Sequence, residues 1–221
     1  MNRPAAVVFL AAITLLGGCK KQVDASTTAS VDVLPAPDPI SVGDDRFSRY
    51  TDPPSVDVGL SVDQAYAAIP HRRTAWTESQ TTVPADERAY LRTIFIVVDE
   101  AIAVRVAGLQ NFSQQRFDSI DVDGQFDRLI SFTRSLSVPA KLSAYHRQIL
   151  AALSSDRQFF VEWKVQGANF PYARQIAANG NVQAASAAAH AAYSELMSKY
   201  PAESQQNKNA FFDYHCALDF L

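Results

Sequence analysis

Prolines divide most of this chain into segments whose apolar residues keep a helical spacing, and that combination fixes the class of fold. Past residue 60 the breaks fall at Pro70, Pro84, Pro139, Pro171 and Pro201. A proline lacks the N–H that a helix interior needs and disfavours the helical region for the residue before it. It therefore ends a helix or sits at its first position. Between the breaks, apolar residues recur at steps of three, four or seven, the period of one helix face.

Ser61 or Asp63 caps a short helix running through Ile69. Pro84-Ala85-Asp86-Glu87 opens a long one to about Gly108, with Leu91, Ile94, Phe95, Val98, Ala101 and Ile102 on one stripe. Asp123 is expected to cap a second, which carries Phe126, Leu129, Ile130, Thr133 and Leu136 inward. Pro139 starts a third, with Leu142, Tyr145, Ile149, Leu153, Phe160 and Trp163 aligned. A short helix from Pro171 is expected to end at Gly180, which suits the left-handed position after a helix. Asn181 then caps a helix with Val182, Ala185, Ala189, Ala192, Leu196 and Tyr200 on its stripe. The last helix runs from about Glu203 to the end, with Phe212, His215, Cys216 and Asp219 on one face.

Strands have little support. Ile94 to Val98 is β-prone but lies inside a helical repeat between Arg92 and Glu100, and Asn179-Gly180 is flanked by alanines, poor strand formers. The expected fold over residues 61–221 is all-α, a helical bundle of four or more main helices. A chain of this size buries about 70% of its unfolded surface, enough for one core. Residues 19–60 read differently. They hold Ser26-Thr27-Thr28, Pro35-Ala36-Pro37-Asp38-Pro39 and Pro53-Pro54 without a sustained period, the composition of a tether. As a flexible coil it reaches ~35 Å.

The first residues add an address. Arg3 precedes an apolar run from Pro4 to Leu16, followed by Leu16-Gly17-Gly18-Cys19. The run is too short to span a bilayer comfortably and suits a signal-peptide core. The arrangement resembles a bacterial lipoprotein signal. The resemblance implies cleavage after residue 18, a diacylglyceryl group on the Cys19 sulfur and an acylated new amino terminus. The protein would then be held to a membrane by its acyl chains, each buried CH₂ contributing ~0.8 kcal/mol. Lys20, where aspartate would favour the inner membrane, points by the same resemblance to the outer membrane, facing the periplasm.

Cleavage removes Arg3 from the 20 basic residues and none of the 23 acidic ones, leaving a formal charge of −4. A mildly acidic envelope protein is not expected to bind nucleic acid. Cys19 and Cys216 are the two cysteines. With Cys19 acylated, no disulfide can form within the chain, and Cys216 is expected to be a small buried core residue.

Local catalytic and metal motifs are missing from the sequence. Ala68, Ser143, Ala187 and Phe212 stand three residues before the four histidines, so there is no Glu-x-x-His pair of the di-iron bundles. There is no His-Glu-x-x-His, Cys-x-x-Cys-His, Gly-x-Ser-x-Gly or phosphate loop. Ser119-Ile120-Asp121-Val122-Asp123-Gly124, with Asp127 beyond, resembles part of an EF-hand loop. Ile130 stands where the bidentate carboxylate belongs, and Asp123 reads as a helix cap instead. No metal, cofactor or catalytic residue is expected.

Two groups of polar residues remain. His71-Arg72-Arg73 is the densest cationic spot and fits an acidic partner or an anionic cell-wall polymer, or simply a solvated loop. Arg105, Asp156 and Asp219 each extend an apolar stripe, and His146 flanks one. Such residues form an internal ion pair or line a polar pocket. The expectation is a lipid-anchored, non-enzymatic binding module for an envelope protein or cell-wall partner. Two alternatives stay open: an envelope hydrolase or metal-dependent enzyme with a site assembled between helices, and a lipoprotein immunity factor against a periplasm-acting toxin. An open pocket holding two or more of Arg105, Asp156, His146 and Asp219 would favour the enzyme. An exposed aromatic patch would favour binding.

Overall fold

The structure is a computed structural model and describes residues 53–170 and 176–219. The lipoprotein-like signal, Cys19, most of the tether and the start of the helix expected at Pro171 lie outside the described residues. Among the described residues all regular structure is helical: α1 (Val62–Ala67), α2 (Ala85–Ser113), α3 (Val122–Ser135), α4 (Ser143–Gln166), α5 (Gly180–Lys199) and α6 (Gln205–Leu218), with single 3₁₀ turns at Glu78–Gln80, Ala140–Leu142 and Gly167–Asn169. The fold is the helical bundle expected from the proline-bounded periods. No described helix is long and apolar enough to cross a membrane.

α2 is the axis. The sequence suggests one apolar stripe, but Tyr90, Val97, Ala103 and Val104 are buried along with Leu91, Ile94, Val98 and Ile102. A helix covered on most of its faces lies inside the bundle, and α1, α3, α4 and α6 all pack on it. α4 packs most extensively on α5, and Ala152 of α4 and Ala185, Ala189 and Ala192 of α5 are buried small residues. Small side chains let two helix backbones approach closely.

Besides α1 ending at Ala67 rather than Ile69 and α4 starting at Ser143, after a 3₁₀ turn that follows Pro139, the helix ends depart from expectation in three places. α2 runs past Gly108 to Ser113. A Cβ on Gly108 would lie 2.7 Å from Phe160, so this glycine admits an aromatic ring from α4 and does not stop the helix. The cap of α3 is Asp121, not Asp123. Its carboxylate accepts the Gly124 N–H at 3.1 Å, and a Cβ at Gly124 would lie 2.0 Å from Asp121 Oδ2. The cap of α5 is Asn179, not Asn181, and Gly180 is the first helical residue. Asn179 Oδ1 accepts the N–H groups of Asn181 and Val182. Glu162 of α4 accepts from the side-chain amides of both asparagines, at 3.0 and 3.2 Å. α5 therefore starts where α4 pins it.

Two irregular segments are also built into the fold. Ahead of residue 61, Val58 belongs to the core. The Val56 N–H donates to Glu100, and the Gln125 amide exchanges two hydrogen bonds with the backbone of Asp57. Between α1 and α2, residues 69–84 form a strap across α6. The buried Asn207 side chain accepts the Thr77 N–H at 2.9 Å and donates to the Thr77 carbonyl at 3.2 Å. Glu203 accepts from the Thr82 N–H and hydroxyl at 2.8 and 2.6 Å. These bonds hold Trp76 against α2 and α6.

Candidate functional site

The structure gathers three of the polar residues read from the sequence into one buried group. Arg105 of α2, Asp156 of α4 and Asp219 after α6 are 3%, 0% and 2% exposed. Arg105 donates to the backbone carbonyls of Asp219, at 3.0 Å, and Ala217. The last carbonyls of a helix have no partner within it and carry partial negative charge. Arg105 thus closes the C-terminal end of α6 from inside the bundle. Its charge is also felt by Asp156 and Asp219.

Asp156 makes no hydrogen bond with either oxygen. Burial pushes its carboxyl well above the ordinary carboxylate range; Arg105 opposes that shift and Asp219 adds to it. Burial also lowers Arg105 against the pull of the two carboxylates. A guanidinium starts so far above neutrality that it stays charged, so the cost of burial weighs on the Asp156 carboxyl. Asp219 Oδ2 meets His190 Nε2 of α5 at 3.0 Å.

His146 does not join this group. Its Nδ1 is bonded to the Tyr90 hydroxyl at 2.8 Å, and burial lowers its pKa. His71, Arg72 and Arg73 do not form one cationic face either. His71 is half-buried, with Nδ1 3.6 Å from Cys216 Sγ. Arg72 is exposed. Arg73 binds Asp63 at 2.8 Å and Asp99 at 2.5 Å. Cys216 is buried and disulfide-bonded, which corrects the expectation of a lone core thiol. The partner sulfur lies outside the described residues.

An open cleft lies on another side of α2, lined by Arg73, Ala75, Trp76, Glu78, Arg92, Phe95, Ile96, Asp99 and Tyr214, with a volume of about 420 Å³. Its rings are ordered. Phe95 and Tyr214 stack at 4.5 Å with planes 5° apart. Trp76 stands edge-on to Phe95 at 5.3 Å and to Phe211 at 5.6 Å. Ile96 is 36% exposed, rare here for a large apolar side chain. Arg92 grips Glu78 through Nε, at 2.8 Å, and one terminal nitrogen. Asp99 accepts from Tyr66 on one oxygen and Arg73 on the other. Burial raises Asp99, and Arg73 opposes the rise.

Sequence reasoning missed this cleft. Arg92, Phe95, Ile96 and Asp99 share one face of α2 at helical spacing, mixing charge with rings, and that is the signal it left. Trp76 gave a second, as a tryptophan in a segment without period between Pro70 and Pro84. No family model, no curated protein and no solved structure matches this chain.

Proposed function

We propose that this chain is a lipid-anchored envelope protein whose helical domain binds a partner, without catalysis, through the Trp76 cleft. The lipoprotein-like signal at residues 1–19 supports the anchor. The cleft carries the binding reading: ordered aromatic rings, an exposed isoleucine and two half-exposed arginines meet in one open depression. Aromatic residues and arginine are the side chains that most often anchor protein interfaces. An enzyme reading needed an open pocket holding two or more of Arg105, Asp156, His146 and Asp219. The Trp76 cleft contains none of them, and Arg105, Asp156 and Asp219 are sealed in the bundle.

The reading is tested in intact bacterial envelopes with a photo-crosslinking side chain at position 96 of the full-length chain. A discrete adduct is expected, lost when Trp76→Ala is added, while the same side chain at the exposed Val165 gives none. Identical patterns at 96 and 165, or an adduct indifferent to Trp76→Ala, would overturn it.

A further inference from the structure

We propose that the outer face of the α3–α4 hairpin docks on an anionic lipid surface through Arg128, Arg134 and Arg147. The inference rests on the membrane-anchored reading above and adds which face of the domain meets the membrane. The charge pattern is its first support. The chain has 23 acidic residues against 20 basic ones, yet residues 128–155 contain Arg128, Arg134, Lys141 and Arg147 and no aspartate or glutamate. The next carboxylate, Asp156, is buried in the core.

The fold sets these cations on one side. Arg157 of α4 bridges to Asp127 of α3 at 2.8 Å, and Lys164 of α4 to Asp118, ahead of α3, at 2.9 Å. The two bridges fix the helices as an antiparallel pair. Arg134 lies two turns past Asp127 on the same face of α3, about 10 Å along it. Arg147 lies about 15 Å before Arg157 on α4, toward the same end of the hairpin. Arg128 and Arg134 flank Ser131 on the exposed side of α3. Arg147 is exposed on α4. Lys141 apart, the other exposed residues of 128–155 are serines and alanines, so the long arginines stand clear of their surroundings.

No carboxylate neutralises them. Among the described residues, Arg128, Arg134 and Arg147 form no ion pair. The carboxylates that touch the hairpin are engaged. Asp127 holds Arg157 and Asp118 holds Lys164. Glu87 of α2 meets Lys141 at 3.7 Å and accepts the Tyr200 hydroxyl at 2.7 Å.

The make-up of the face favours lipid over a protein partner. Protein interfaces are anchored by aromatic or apolar side chains seated in pockets. Ile96 and Val165, the exposed large apolar side chains, lie elsewhere, and the Trp76 cleft includes none of these arginines. A leaflet of anionic headgroups needs no such anchor. It offers mobile phosphates to forked guanidinium groups, and each basic residue close to it adds about fivefold to partition. The lipid and tether read from the sequence supply the proximity that so weak an attraction requires.

The test uses the full mature chain carrying Cys19→Ser, so that no acyl chain contributes, and vesicles of phosphatidylcholine with or without phosphatidylglycerol. Co-sedimentation is expected with the anionic vesicles alone and is expected to be lost at high salt. Replacing Arg128, Arg134 and Arg147 together by Gln should weaken partition about a hundredfold, with the helical circular dichroism unchanged. Modification of arginines by phenylglyoxal, read by mass spectrometry, locates the contact. Arg128, Arg134 and Arg147 should react several-fold more slowly on the anionic vesicles, while the exposed Arg72 and Arg116 react as before. Equal partition into both kinds of vesicle, partition into neither, an anionic preference that survives the triple replacement, or equal protection of Arg72 and Arg116 would overturn the proposal. Protection by polyglutamate without protection by the vesicles would give the face to an acidic protein and overturn it too. If the face selects anionic vesicles while protein from envelopes carries no lipid on Cys19, the anchor falls and the surface stands. If the protein is lipidated and the face ignores the vesicles, the surface falls and the anchor stands.

Discussion

Arg105 donates to the carbonyl oxygen of Asp219, so a charge buried in the longest helix finishes the last one. With the Ala217 carbonyl as its second acceptor, the guanidinium satisfies two of the backbone groups that α6 leaves open. The arginine is tolerated in the core because it meets a helix end that favours positive charge, and because carboxylates lie close by. It ties the centre of the bundle to the final turn of the described chain.

Replacing this residue should therefore cost stability rather than affinity. Arg105→Met keeps the length of the side chain and removes every donor. It leaves the buried Ala217 and Asp219 carbonyls without their donor, and should lower the unfolding free energy by about 3–5 kcal/mol. Chemical denaturation at pH 7 reads this directly. A loss within about 0.5 kcal/mol, the range of an ordinary surface change, would contradict the role assigned to it.

His215 gives the domain an acid limit. It is buried, with Nδ1 donating to the Phe211 carbonyl at 2.5 Å and Nε2 accepting the Tyr145 hydroxyl at 3.2 Å. Burial holds its pKa down to about 4, against an ordinary value of 6.5, with the Phe211 carbonyl opposing. The folded state thus prefers the neutral ring. As pH falls below 6.5 the unfolded chain gains a proton that the folded one refuses, and stability declines until about pH 4. The full loss is about 3 kcal/mol. His215→Gln can offer the same donor and acceptor without titrating. It should flatten the decline between pH 6.5 and 4 by that amount, measured as unfolding free energy at a series of pH values. An unchanged slope would contradict the assignment.

Asn207 holds the strap that carries Trp76. Asn207→Ala leaves the Thr77 N–H and carbonyl without their side-chain partners and frees one oxygen of Glu203. A loss of about 2–3 kcal/mol is expected from orphaned polar groups in a buried setting. The Trp76 emission should also shift to longer wavelength as the strap loosens. Trp163, buried among Phe112, Phe159 and Phe160 on the far part of α4, should report no change. Unaltered emission with unaltered stability would show that the strap is held elsewhere.

The packed chain begins ahead of residue 61. A chain starting at residue 58 loses the Val56 bond to Glu100 and the Asp57 pair with Gln125. Gln125 is buried, so its amide would be stranded. Compared with a chain starting at residue 53, the shorter one should be less stable by about 1–3 kcal/mol. Equal melting temperatures would return residues 53–57 to the tether.

What the sequence made legible was whatever is local. The helices follow from proline breaks and from periods such as Leu142, Tyr145, Ile149 and Leu153, because each needs only its own segment to declare itself. Caps were offset by two residues where two candidates compete: Asp121 against Asp123, Asn179 against Asn181. Which side chain turns back is decided partly by distant groups, as Glu162 does for Asn179. Gly108 read as a helix end because nothing nearby announces Phe160, which arrives from another helix to occupy its missing side chain. The charge of Arg105 on an apolar stripe was visible, but its acceptors are backbone atoms of α6 and leave no mark in composition. The cleft was hidden for the same reason. It joins residues 73–78, 92–99 and Tyr214, three segments that meet only once the bundle has formed.

The account's central claim, a domain tethered to a membrane by lipid on Cys19, meets its most direct test in the intact mass of the mature protein extracted from bacterial envelopes. Cys19 and Cys216 are the two sulfurs that can form a disulfide, so acylation at Cys19 and a disulfide within one chain exclude each other. The structure gives Cys216 a disulfide, which lipidation of Cys19 would have to displace: the account predicts a protein lacking residues 1–18, with a diacylglyceryl thioether on Cys19 and Cys216 outside any bond to it. A mature protein that keeps residues 1–18, or one whose Cys19 sulfur carries no lipid and is joined to Cys216, would contradict it.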